Sequence, residues 1–323
     1  MEVSALFDNL TNPALLFFVL GIISVQLKSD LKIPENSAKF ISIYLLLCIG
    51  FKGGQELSHS GVNLEIGASI LLGLLLAVSV PLGAFYILRK RFGVDNAGAI
   101  AAAYGSVSTV TFITAITFLE FEKVEFGGHM IAVMAIMEAP AIIVGALLIK
   151  RYSDNNSSKK PITDSLIHAL TNDSVLLILG SLVIGFLASE KQAAGIKPFT
   201  TDIFKGFLAV FLLDMGITSG KQLSALIKKG VYPFIFSALM PFVHGLIALF
   251  LSSLITHELG NLLLFAILGA SASYIAVPAA MKTIAPNANP SLYLPMALGI
   301  TFPINVIIGI PFYYSIIHLM LLS

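Results

Sequence analysis

Hydroxyl-bearing residues cluster where an apolar chain has least use for them. Tyr104-Gly105-Ser106-Val107-Ser108-Thr109 sits in the middle of one long apolar segment, and Gly269-Ala270-Ser271-Ala272-Ser273-Tyr274 echoes it inside another. Small and hydroxylic residues at that depth suit a helix that stops, exposes its backbone and restarts. In hydrocarbon, irregular backbone is tolerated only where it is buried in protein or lines a cavity. A half-helix restarting near Ser108 or Ser273 gathers unpaired amide N–H groups and the positive end of the helix dipole. Two such starts converging make a cradle for a small anion without any basic side chain. Ser106, Ser108, Thr109, Ser271 and Ser273 would add hydroxyl donors or cap the half-helices. The competing reading is close helix packing, with the serines bonded to their own backbone. One Gly-Ser cluster alone favours packing. A pair at matching places in two halves of a chain favours the cradle, the substrate site of a secondary transporter.

Ionisable groups inside apolar segments are the next candidates, because burial there is costly. Glu138 lies in Met137-Glu138-Ala139-Pro140, and the matching region of the second half is Phe302-Pro303-Ile304-Asn305. A carboxylate and an amide oxygen near half-helix ends suit a hard cation such as sodium. Glu138 as a protonated acid bonded to a neighbouring carbonyl is the alternative. Asp214 occupies the position matching Cys48, so its role is not common to both halves; ion coupling and a salt bridge both fit it. Lys52 is the available partner for that bridge, or it snorkels to the interface. His244 reads as a hydrogen-bonded contact between helices. There is no H-E-x-x-H, no metal-spaced cysteine set, no G-x-S-x-G and no G-x-x-x-x-G-K-[ST]. A serine with His244 as an intramembrane hydrolase has no spacing to support it. An ATP-driven pump on its own is excluded.

The elements that must position these residues are membrane helices. Only 11% of the 323 residues are charged and the mean hydropathy is +0.92, against about 25% charged in ordinary globular domains. Ten apolar stretches are long enough to read as spans, at roughly 12–27, 36–57, 66–88, 96–119, 127–149, 173–189, 199–223, 230–254, 259–284 and 291–320. Pro295, Pro303 and Pro311 predict a kink or a short tail in the last. The polar stretch from Tyr152 to Pro161 divides the spans five and five. This places a first repeat at 1–150, a central loop at 151–172 and a second repeat at 173–323. Leu45–Leu57 aligns with Phe211–Leu223, and at nearly the same offset Pro34 meets Pro198, Ser106 meets Ser271 and Ser108 meets Ser273. An odd number of spans per half requires the second half to enter from the opposite side, which makes an inverted repeat. Loop charge agrees: of 19 Lys and Arg, fourteen fall on the side of the loops after spans 1, 3, 5, 7 and 9, and three on the other. The positive-inside rule makes the first side cytoplasmic, with both termini on the opposite face. The start, MEVSALFDNL, lacks a basic n-region and predicts no cleavable signal peptide. The single cysteine, Cys48, permits no intrachain disulfide and reads as a small buried hydrophobe.

The motifs resemble a known family. Tyr104-Gly105-Ser106-Val107-Ser108 followed by Thr117-Phe118-Leu119-Glu120 resembles the sodium-dependent bicarbonate transporters first known from cyanobacteria. So do Ala270-Ser271-Ala272-Ser273, the run Asn289-Pro290-Ser291-Leu292-Tyr293 on to Pro303 and Gly309, Gly50–Gly54, and Pro241-Phe242-Val243-His244-Gly245. The resemblance spans essentially the whole chain. It implies an all-α, ten-span inverted repeat with a core domain of spans 3–5 and 8–10 and a gate domain of spans 1, 2, 6 and 7. It implies bicarbonate between two half-helix starts, sodium nearby and a homotrimer in the cell inner membrane. Gly105, Ser106, Val107, Ser108, Ser271, Ala272 and Ser273 then fall on cradle positions, and Glu138 falls where the cyanobacterial members carry an aspartate. Some of those members are regulated by a trimeric signalling protein of the PII type at the cytoplasmic face. This chain departs from the pattern at Tyr274 and Asn96, each standing where an aspartate is expected. Sodium-coupled import of bicarbonate is the leading expectation. Another small carboxylate or organic anion, an anion-sensing membrane protein and an anion channel are the alternatives.

Overall fold

The computed structural model describes residues 13–60, 63–153, 173–227 and 229–322. The expectations for the first twelve residues, and for the central loop beyond Ser153, lie outside these. Among the described residues there are helices and short connections and no strand. In chain order the helices are α1 (Pro13–Gln26), α2 (Glu35–Ser60), α3 (Leu64–Phe92), α4 (Val94–Gly105), α5 (Thr109–Phe121) and α6 (His129–Tyr152). The second half contributes α7 (Asp173–Leu187), α8 (Glu190–Lys197), α9 (Phe204–Ile227), α10 (Val231–Ser252), α11 (Leu259–Ala270), α12 (Ala276–Ile284) and α13 (Pro290–Leu322).

Helix ends follow local chemistry. Asn63 caps α3 by accepting from the Ile66 N–H at 3.0 Å. At its other end Arg89, Lys90 and Arg91 sit on the negative pole of the dipole, and Gly93, at φ 78°, turns the chain into α4. All ten expected apolar segments are helical. Among the described residues, seven stretches are long and apolar enough to cross a membrane: Glu35–His59, Leu64–Phe92, Val94–Phe121, His129–Tyr152, Glu190–Leu223, Val231–Ser252 and Pro290–Leu322. The other three, Pro13–Gln26, Val175–Leu187 and Leu259–Ala270, are shorter apolar helices.

Packing joins the two halves. Helix α1 lies along α9, and α2 lies along α7. Glycines permit both approaches: a Cβ on Gly216 would run into the Phe18 carbonyl of α1, and one on Gly54 into the backbone of α7 around Leu182 and Gly185. Helix α3 packs on α4 and α6, and α10 packs on α11, which also meets the C-terminal part of α13.

The last segment accommodates its prolines without ending: α13 runs from Pro290 to Leu322, with π-helical stretches at Pro295–Thr301 and Asn305–Gly309 just ahead of Pro303 and Pro311. A proline removes one N–H and crowds the carbonyl four residues back, and the wider π turn relieves both. Pro241 in α10 shows the same physics solved with a side chain. The Ser237 carbonyl, four residues back, receives the Thr301 hydroxyl at 2.8 Å. Thr301 has then spent its proton, so the buried Tyr104 hydroxyl, 2.7 Å away, must donate to it. One hydrogen-bond chain thus ties α4 to α13 to α10.

Candidate functional site

Both small-residue clusters interrupt their helices. Helix α4 stops at Gly105, Ser106 is extended (φ −85°, ψ 176°), and α5 begins at Thr109 after Ser108 (φ −99°, ψ 104°). Helix α11 stops at Ala270, Ser271 is extended (φ −73°, ψ 162°), and α12 begins at Ala276.

The two interruptions are built differently. Ser108 caps α5: its Oγ accepts from the Thr111 N–H at 3.2 Å and its carbonyl from the Phe112 N–H at 3.0 Å. The remaining first-turn amides, those of Thr109 and Val110, have no acceptor within the helix. At the second interruption the Ser273 N–H donates to the Ala103 carbonyl at 2.8 Å, which stitches the two interruptions together. The Ser271 hydroxyl bonds back to the Ile267 carbonyl at 2.7 Å, the local bond expected of a serine in the competing packing role.

A cleft of about 480 Å3 lies between them. Val107, Ser108, Thr109 and Val110 line it from the first interruption, and Ser273, Tyr274, Ile275 and Ala276 from the second. Glu138 of α6 reaches the same cleft, and Ser42, Leu45 and Leu46 of α2 with Phe211 of α9 form the opposite wall. Among the described residues no Lys, Arg or His lines it. Tyr274 is 8% exposed; its ring packs edge-on against Phe302, and its side chain interacts with that of Ser108.

Of the proposed cradle residues, Val107, Ser108, Thr109 and Ser273 are therefore brought together, while Gly105, Ser106, Ser271 and Ala272 lie outside the lining. Gly105 abuts the Pro81 ring of α3, where a Cβ would overlap it. Ser106 is fully buried and its Oγ has no partner. Of the three cation candidates, Glu138 alone lines the cleft. Glu138 is in the cleft, 5% exposed, with its Oε1 unpartnered. Asn305 is 1% exposed in a π-helical turn of α13; its Nδ2 donates to the Ala270 carbonyl at 2.7 Å, and its Oδ1 is unpartnered. Asp214 is half-buried on α9, outside the lining. Among the described residues no group of three His, Cys, Asp or Glu is arranged to hold a metal ion, so sodium would depend on hydroxyl, amide and carbonyl oxygens as well.

Two further expectations are corrected. Lys52 does not pair with Asp214; its Nζ lies 3.1 Å from Glu120 Oε1 at the end of α5 and over the Phe204 ring. His244 is buried, but its Nδ1 has no hydrogen-bond partner. The contributions of Ser42 and Phe211 went unread in the sequence. A signal for Phe211 existed, since the internal alignment pairs it with Leu45 and both line the cleft. Nothing in the sequence distinguishes Ser42 from the other serines of its helix.

No curated protein matches the chain. The model of one family matches residues 13–318, nearly its full length. A membrane transport protein rather than an enzyme, the chain belongs to the Na+-dependent bicarbonate transporter superfamily.

Proposed function

We propose that the chain imports bicarbonate together with sodium by alternating access, through a ten-span inverted repeat. The observation that carries this is the cleft bounded by both helix interruptions, with one unpartnered carboxylate and no basic side chain in its lining. Thr109 and Val110 offer backbone N–H groups at a helix start, and Ser108 and Ser273 offer hydroxyls, which suits a small oxyanion. Sodium beside Glu138 would cancel the repulsion between that carboxylate and the anion, so each ion would favour binding of the other.

Support for the inverted repeat comes from exchanged pairing. If the halves are related by a two-fold axis, α1 corresponds to α7 and α2 to α9; the contact of α1 with α9 then maps onto that of α7 with α2. Wall positions pair likewise, Leu45 with Phe211 and Thr109 with Tyr274. In this reading α3–α6 and α10–α13 form the core, α1, α2, α7 and α9 form the gate, and the cleft lies between them. Glu138 is the leading sodium ligand, with Asn305 and Asp214 as secondary candidates. Placement in the inner membrane with both termini outside the cytoplasm, a homotrimer and a PII-type partner belong to the same reading; family membership is their support, with the loop-charge bias added for orientation.

Tyr274 favours one second reading, another small carboxylate as cargo, because its ring takes up cleft space where an aspartate was expected. The test is uptake of labelled bicarbonate into proteoliposomes with and without an inward sodium gradient, for wild type and the Ser108→Ala/Ser273→Ala double variant. Accumulation above equilibrium that needs sodium and fails in the double variant is the expected result. No concentrative uptake would refute bicarbonate as cargo and direct the assay to small carboxylates.

A further inference from the structure

At the end of the molecule where α3 and α6 finish, cations and aromatic rings gather away from the cleft. Arg89, Lys90 and Arg91 close α3, and Lys150 and Arg151 close α6. The Arg89 guanidinium lies 4.8 Å from the centroid of the Tyr86 ring and 4.9 Å from that of Tyr152, two rings that meet edge-on 6.1 Å apart. Their hydroxyls are 2.8 Å apart. Arg151 sits 5.8 Å from the Tyr152 ring on its own helix. Among the described residues no carboxylate lies within ion-pairing distance of either guanidinium.

The rings and a hydrogen bond to Tyr152 hold the guanidinium in place, and its remaining N–H groups form the planar fork that takes a phosphate bidentately. The surface beside it is apolar. Leu82, Tyr86 and Arg89 share one face of α3 at helical spacing, and Leu147 lies one turn before Arg151 on α6. Leu82 is 37% exposed, Tyr86 47% and Leu147 45%. Two parallel stripes therefore run from exposed aliphatic residues to arginines, with tyrosines at the junction where aromatic rings settle in a bilayer.

We propose that this surface at the C-terminal ends of α3 and α6 is a binding site for an anionic phospholipid. Arg89 and Arg151 take the headgroup phosphate, and Leu82 and Leu147 take the start of an acyl chain. Charge complementarity selects the lipid class: five cations, with no paired carboxylate among the described residues, attract an anionic headgroup and gain little from a zwitterionic one. The site is independent of what the cleft carries.

The test is phosphatidylglycerol against phosphatidylcholine, each titrated into purified full-length protein in neutral detergent. Bound lipid is counted by native mass spectrometry and the melting temperature is followed in parallel. Wild type is expected to prefer phosphatidylglycerol, and the Arg89→Ala and Arg151→Ala variants each to lose roughly fivefold of that preference. Arg89→Lys should fall between, because it keeps the charge and loses the stacked fork. Arg151 is exposed, so its variant reports on lipid even if Arg89→Ala fails to fold. Equal binding of both lipids, an unchanged preference in Arg151→Ala, or the same stabilisation by inorganic phosphate alone would each overturn the proposal.

Discussion

Replacing Glu138 by Gln separates the two ions. Glu138 lines the cleft, and the anion is taken to sit about 7 Å from its carboxylate. At an effective dielectric constant of about 20, like charges at that separation repel by roughly 2.4 kcal/mol. That corresponds to about 60-fold in anion affinity. Sodium beside Glu138 removes the penalty, and linkage requires the anion to raise sodium affinity by the same factor. Calorimetric titration of bicarbonate into wild-type protein should therefore show tens-fold tighter binding in sodium than in choline. In Glu138→Gln the sodium-free affinity should rise toward the wild-type value in sodium, and the sodium dependence should shrink to a fewfold or less. Concentrative uptake should fail, because anion binding no longer waits for the cation. Undiminished sodium dependence in Glu138→Gln would refute the reasoning and move the coupling site, with Asn305 the next candidate.

Three other predictions rest on contacts away from the cleft. Thr301→Val orphans both the Tyr104 hydroxyl and the Ser237 carbonyl and should cost about 2–4 kcal/mol. Tyr104→Phe leaves the Thr301–Ser237 bond intact and should cost about 1 kcal/mol; equal losses in denaturant titrations of the detergent-solubilised protein would disprove that bond order. Gly105→Ala drives a Cβ into the Pro81 ring, and overpacking of about 1–3 kcal/mol should appear as a lower melting temperature. Glu258 lies just before α11, where burial, then Glu65 and Glu125, push its carboxyl above the ordinary value of 4.5, against a lowering by the Asn261 hydrogen bond. The folded state therefore holds this proton more tightly than the unfolded state, and stability should fall as pH rises from about 4.5 through the raised value. Glu258→Gln should flatten that part of the melting-temperature profile, and an unchanged slope would remove Glu258 as its source.

Local composition was enough to determine that this is a membrane protein, where its helices run and where two of them stop. Hydrocarbon tolerates little but helix, and runs such as Ser106-Val107-Ser108 and Ser271-Ala272-Ser273 carry their own reasons to interrupt one. Family membership was legible for the same reason, since the motifs around those interruptions are contiguous. Tertiary structure alone decided how the two interruptions divide their work. The Ser273 amide is taken by Ala103, 170 positions earlier, and Thr109 and Val110 line the cleft together with residues of α2 and α9. It also put Glu138 in the cleft lining and the Asn305 amide on the Ala270 carbonyl, and gave Lys52 to Glu120 instead of Asp214. Each of those outcomes depends on which distant surfaces pack together, and uniformly apolar helices, each buryable on several faces, leave that choice to small differences in shape that no single segment contains.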